Sequence, residues 1–190
     1  MSSLLIQNAW AVVTCDDEDH LLKCANILIR DGVIAYMGPE SPPADETLDA
    51  SRSIVYPGLI NTHHHLYQTF SRNLPQVQNL ELFDWLTALY EIWKNLDSEA
   101  VYHSSVVGMG ELLKTGCTTC FDHHYVFPGG NSASLLDAQF AAAETLGVRM
   151  YASRGSMDLS RKDGGLPPDS VVQTVDKILR DCRAAVEKYH

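Results

Sequence analysis

Hydrophobic and polar positions change rhythm once along this chain, at Pro57-Gly58. Before that point the pattern is short and β-like. Leu4 to Thr14 is an apolar, β-branched run. Asn26–Arg30 and Val33–Met37 flank Asp31-Gly32, and an Asp-Gly between two strand-like runs is a strong hairpin signal. Gly38-Pro39 and Ser41-Pro42-Pro43 mark a loop, and Leu48–Ala50 and Ser53–Tyr56 suggest one more short strand. Residues 1–56 therefore read as a β-subdomain.

After Pro57-Gly58, strand-like and helix-like runs alternate. Leu59–His63 predicts a strand, and Leu80 to Asn95 a helix rich in Leu and aromatics. A longer helix is expected from Ser98 to Thr115, opened by Asp97 or Ser98 and closed by Gly116. On it Val101, Tyr102, Ser105, Met109, Leu112 and Leu113 share a face. Cys117–Phe121 predicts a second strand, Ser132–Leu146 a helix closed by Gly147, and Val148–Ala152 a third strand. Pro168 and Asp169 open a last expected helix, with Val171, Val172, Val175, Ile178, Leu179, Cys182 and Val186 on one face. Repeated βα order implies a parallel sheet. A closed barrel needs eight such units, in about 250 residues; residues 57–190 hold three. The expected fold class is α/β: an N-terminal β-subdomain, then the first three βα units of a TIM-like (β/α)8 barrel, incomplete in this chain. The expectation is that the sequence is the N-terminal part of a longer protein, with an open three-stranded sheet as the alternative.

Composition narrows the partners. Fourteen basic and 24 acidic side chains give a formal charge of −10. With no Lys or Arg cluster to offset it, nucleic acid is not expected as a partner. No stretch approaches the 18 or so apolar residues that span a bilayer, so no membrane is expected either. The start, Met1–Ile6, lacks the basic region and long apolar run of a signal peptide. Five scattered cysteines are then expected as reduced thiols in a cytoplasm. Cys117 and Cys120 form a C-x-x-C, but without a second pair they read as buried strand residues rather than a zinc or redox motif.

The chemistry concentrates in Asn61-Thr62-His63-His64-His65-Leu66. On an extended strand, residues i and i+2 point the same way. His63 and His65 therefore project together and His64 away from them. Neutral imidazoles ligate zinc and other divalent metals, and two on one side supply two corners of a coordination sphere. In a barrel they sit at the C-terminal mouth, where active sites form. A short H-x-H leaves a chance polar patch open as the other reading.

The string Pro57-Gly58-Leu59-Ile60-Asn61-Thr62-His63-His64-His65-Leu66 resembles the first barrel strand of the amidohydrolase superfamily. Asn26–Ile34 resembles that family's N-terminal hairpin, and Gly116–Thr119 with Asp122 its second strand, so the resemblance covers essentially the whole chain. Within the superfamily the chain looks like the cytosine-deaminase-like and triazine-hydrolase-like branch. His65–Gln68, Leu82–Leu86 and Asp122–Pro128 most resemble the 8-oxoguanine deaminases, with hydroxy-triazine aminohydrolases as close relatives. The resemblance implies a metal-dependent aminohydrolase that releases ammonia from a small heterocyclic substrate. It implies one divalent metal, zinc first, with iron or manganese as alternatives, held in part by His63 and His65. It implies catalytic residues and remaining ligands C-terminal to His190, and a homo-oligomeric full-length protein. The chain alone is expected to be inactive.

Gln68, by the same resemblance, is a substrate contact, its amide able both to donate and to accept; the alternative is a solvent-exposed loop glutamine. His123 and His124 are read as following the second strand at the same mouth, as substrate contacts or as histidines satisfied by backbone. Trp85 is a candidate to stack on a flat ring, with helix packing as the alternative. Asp122 reads as orienting the strand end, with support of the metal ligands from behind as the alternative. Phe70, Tyr90 and Trp93 are assigned to packing. Two other functions stay open. One is a two-metal cyclic amidase of the dihydroorotase or hydantoinase type, which needs a bridging lysine on a later strand. The other is a naturally short, non-catalytic metal-binding α/β protein.

Overall fold

The computed structural model describes residues 2–190, and the chain divides into two compact units, Met1–Gly58 and Leu59–His190. In the first unit the long apolar run forms β1 (Ser3–Val13), paired antiparallel with β2 (Leu21–Arg30), which pairs antiparallel with β3 (Val33–Gly38). The β2–β3 turn is Asp31-Gly32, with φ of 50° and 80°. Two successive positive φ values are what a tight hairpin turn requires, and Asp and Gly are among the residues that tolerate them. Two short strands, β4 (Glu46–Asp49) and β5 (Ile54–Val55), lie parallel to β1. The β1–β2 register slips between Ile6 and Ala9. At that bulge Asn8 takes φ 62° and its N–H donates to Asn26 Oδ1 at 2.7 Å. Ala9, Val12, Ala25, Ile27 and Ala50 form this unit's core.

The second unit is an open, three-stranded parallel sheet in the order β6 (Leu59–Asn61), β7 (Cys117–His124), β8 (Arg149–Arg154). The chain crosses from β6 to β7 through a 3₁₀ turn at Leu66–Ser71, then α1 (Leu82–Trp93) and α2 (Ser98–Lys114); α3 (Ser132–Leu146) joins β7 to β8 and α4 (Val175–Tyr189) follows. Asp97 caps α2 by accepting the Ala100 N–H at 2.8 Å, and Gly147 closes α3 in the left-handed region at φ 69°. Leu66, Met109, Cys120, Ala142, Ala143 and Val148 form a core between the sheet and α2 and α3. A second core, around Tyr67, Trp93, Val126 and Phe127, lies under the loops that follow β6 and β7. Cys117 and Cys120 are both buried and unpaired by disulfide, and burial pushes the Cys120 thiol up to about 12. No helix among the described residues is long and apolar enough to cross a membrane.

Several expectations are corrected. β6 stops at Asn61, not His63. Asn61 Oδ1 accepts the His63 N–H at 3.2 Å, a local side-chain bond that takes that donor from any ladder. β7 runs three residues past Phe121, so His123 and His124 lie on the strand, opposite Ser153 and Arg154 of β8, rather than after it. The last helix begins at Val175, not Pro168. Asp169–Val171 is a single 3₁₀ turn, and the Thr174 hydroxyl caps the helix by accepting the Lys177 N–H. The expected apolar face is split in consequence. Val171 is buried and Ile178 and Cys182 are half-buried, while Val175, Leu179 and Val186 are exposed. Phe70 is exposed as well; in its 3₁₀ turn the inward positions are Leu66, Tyr67, Thr69 and Ser71.

Candidate metal centre

The site begins where β6 ends. Strand alternation carries over the bend at Asn61, and the rings of His63 and His65 meet edge to face with centroids 5.1 Å apart. His64 points elsewhere: its Cε1 lies 3.6 Å from where a side chain on Gly108 of α2 would begin. Partial burial, with His65 beside it, lowers the His64 pKa. Beyond β6 the backbone stays tied to β7, for the His64 carbonyl accepts the His123 N–H at 2.9 Å.

One contact settles the chemistry of His65. Its Nδ1 donates to the His123 carbonyl at 2.7 Å. A carbonyl only accepts, so that nitrogen carries the proton and Nε2 keeps a free lone pair. That is the tautomer a metal ligand needs. With the His63 ring beside it, the donor set fits two corners of a four-coordinate zinc or a related divalent metal. Among the described residues no third His, Cys, Asp or Glu joins them in a group able to hold a metal.

The remaining candidates separate. Gln68 lines the same open cleft as His63, His64 and His65, together with Thr69 and Arg72. Its Nε2 lies 3.4 Å from both the Tyr67 and the Tyr125 hydroxyls. His123 shares the face of β7 with Phe121, its ring centroid 5.7 Å from that of His65 and its Nδ1 2.8 Å from Ser153 Oγ. Partial burial, with His65 and His63 nearby, lowers its pKa. His124, one residue on, points the other way into the core, with no exposed surface. It packs on Tyr67 and Phe127, and its Nε2 donates to the Val126 carbonyl at 2.8 Å. A substrate role for His124 is therefore corrected: nothing reaches a ring sealed in the core. Trp85 does not line the His63–His65 cleft; it is half-buried and packs edge to face on Trp93, the packing alternative.

Three contributors carried no usable sequence signal. Tyr125 packs edge to face on His65 at 5.4 Å and lies over His123. Ser153, on a different strand, fixes the His123 ring. Gly155 lies against His123 so closely that a Cβ there would fall 2.7 Å from its ring. Each depends on a partner 30 or more residues away, except the contact of Tyr125 with its neighbour His123.

The structure is an open parallel sheet with an H-x-H pair just past the carboxyl end of its first strand, and comparison with known proteins gives the class. The model of the amidohydrolase family matches residues 54–189. The chain belongs to the amidohydrolase family. It is 42% identical over 194 residues to the 8-oxoguanine deaminase of Pseudomonas aeruginosa, covering all of this chain and 42% of that protein. It is 37% identical over 203 residues to the hydroxydechloroatrazine ethylaminohydrolase of a Pseudomonas species, strain ADP, again covering all of this chain and 42% of that protein. The crystal structure of atrazine chlorohydrolase from Arthrobacter aurescens, complexed with zinc, superposes with a TM-score of 0.88 at 32% identity, over 98% of this chain and 43% of that one. The chain thus spans less than half the length of the relatives it matches.

Proposed function

We propose that this chain carries the His63–His65 half of the metal centre of a hydrolytic deaminase, acting on 8-oxoguanine or a related purine or hydroxy-triazine. The observation that carries the reading is the pair of imidazoles 5.1 Å apart, with the His123 carbonyl holding the proton on Nδ1 of His65. The names of the relatives, which deaminate or hydrolyse nitrogen heterocycles, support the substrate class. The zinc in the solved relative supports a divalent metal. Such a metal, when bound, supplies a water whose pKa is lowered to about 7.

The chain's own residues then divide the work. His63 and His65 bind the metal through ring nitrogens. The His123 carbonyl keeps the His65 tautomer from switching. Gln68 offers an amide donor and acceptor to the edge of a flat heterocycle, and the Tyr125 ring walls one side of His65 against solvent. His123, held by Ser153, faces the same mouth and is placed to hydrogen-bond the substrate. The group that takes up and returns the proton, and the other metal ligands, come from outside these residues. A two-ligand half-site does not complete a catalytic zinc, which needs three protein donors and a water.

The expected result with purified chain is uptake of zinc without ammonia release from 8-oxoguanine or hydroxy-triazines. Equilibrium titration with zinc, compared with a chain carrying both His63→Ala and His65→Ala, and an ammonia assay read the two parts separately. Zinc binding that is unchanged in the double variant overturns the centre; clear turnover overturns the division of the site.

A further inference from the structure

Behind His65 lies a group that touches no metal and that the reading above leaves unused. Asp122 has no exposed surface, yet forms no ion pair among the described residues. Burying a carboxylate without a cation costs several kcal/mol, by the general order of such penalties. At a position that only fills space, an apolar side chain avoids that penalty. Both oxygens of Asp122 act as acceptors. Oδ1 receives the Leu66 N–H at 2.6 Å, and Oδ2 receives Nε2 of Gln139, itself fully buried on α3, at 2.7 Å. Burial raises the pKa of this carboxyl, and the Leu66 N–H and the Gln139 amide oppose the rise by bonding its charged form.

The place of that N–H gives the grip its meaning. Three consecutive residues after β6 are bonded to two consecutive residues of β7. His64 accepts from the His123 N–H, His65 donates from its ring to the His123 carbonyl, and Leu66 donates to the Asp122 carboxylate. Strand alternation puts the Asp122 side chain on the helix-covered face of β7 and His123 on the other. The segment is thus held by two main-chain groups of His123 at the strand edge and by the Asp122 carboxylate from the helix-covered face. The β6–β7 ladder stops at Asn61, so these three bonds set the direction in which His65 leaves the backbone.

We propose that Asp122, braced by Gln139, is a positioning residue for the metal-binding histidine His65. By holding the Leu66 N–H it fixes the backbone on which the His65 ring is mounted. The inference rests on the reading of His63 and His65 as metal ligands.

Zinc affinity of the full chain, measured by competition with a chromogenic chelator, tests it, with circular dichroism reporting the fold. Asp122→Ala is expected to weaken zinc binding about 10- to 100-fold, the usual effect of removing a partner behind a ligand. Asp122→Asn is expected to keep most of the affinity. The new amide still offers an oxygen to Leu66, and Gln139, whose Oε1 has no partner, can turn to receive the new NH2. Gln139→Leu keeps the packing but frees the carboxylate to rotate, and should cost several-fold; it decides the matter if Asp122→Ala does not fold. A merely structural role would lower unfolding stability and leave the zinc affinity of the folded variants where it was, and that result overturns the proposal. If the unsubstituted chain takes up no zinc, the reading of His63 and His65 falls first and the proposal with it.

Discussion

His123 and His124 are adjacent, identical in type, and opposite in fate. Alternation along β7 turns one toward the metal-binding segment and the other into the core. For His124, burial drives the pKa down to about 4, the hydrogen bond to Val126 opposing and nearby Arg154 adding to the shift. The ordinary value is 6.5. The folded state therefore resists a proton that the unfolded state accepts. Stability from this ring is fully present above pH 6.5, is lost as pH falls from there toward 4, and changes no further below that. The loss across that window is about 3 kcal/mol. Urea unfolding at pH 7 and pH 5 should show part of it, and His124→Phe should flatten the slope; an unchanged slope in that variant refutes the assignment. Gly155 is the second case. A Cβ there would fall 2.6 Å from Tyr125 Cβ and 2.7–2.8 Å from the His123 ring. The first of these atoms is tied to backbone and cannot swing away. Gly155→Ala should cost about 1–3 kcal/mol as overpacking, read by urea denaturation, and a neutral result would show that β7 and β8 yield to the added methyl group.

At the scale of elements, α2 is what holds the ligand segment down. Its Gly108 is buried, and a Cβ added there would come within 2.8 Å of Leu66 Cδ2 and 3.1 Å of Thr69 Oγ1. Leu66 is fully buried and has no room to give. Gly108→Ala gains helix propensity worth about 1 kcal/mol but must push the 3₁₀ turn off the helix. The expected outcome is net destabilisation despite the better helix former, measured as a lower midpoint of unfolding; a raised midpoint would mean the turn moves freely. The helix itself was legible: Asp97 as cap, Val101, Ser105 and Met109 on the inner face, and Gly116 beyond the end all follow from local spacing. The last helix was not. A valine-rich run from Val171 reads equally as helix face or extended segment, and the Thr174 cap, which competes with Pro168-Asp169 as a start signal, wins in the structure.

At the scale of the whole molecule, metal and folding are linked. A metal that binds the folded state alone stabilises it by about 2.7 kcal/mol at a concentration 100 times its dissociation constant. Zinc should therefore raise the thermal midpoint of the chain, chelation should reverse the rise, and His65→Ala should abolish it. An equal rise in His65→Ala would place the bound zinc elsewhere. In the second unit, Ile60, Phe121 and Tyr151 are exposed together on the sheet face away from α2 and α3, Ile60 and Tyr151 at 67%. His123 belongs to that same face, so the metal-binding segment opens at the carboxyl end of an apolar surface.

Local rules, by themselves, determined the order of elements, the Asp-Gly hairpin, the caps of the second long helix, and the shared side of His63 and His65. All of these depend on period-two or period-3.6 spacing and on turn chemistry within a few residues. Only the tertiary structure decided which nitrogen of His65 keeps a free lone pair, which of His123 and His124 faces the site, and why a carboxylate is buried at Asp122. Those outcomes rest on bonds between residues 17 to 58 positions apart and on how far β7 extends beside β8. Spacing along the chain fixes the face on which a side chain sits, but a strand's length and a ring's protonated nitrogen are set by the neighbour that folding brings alongside.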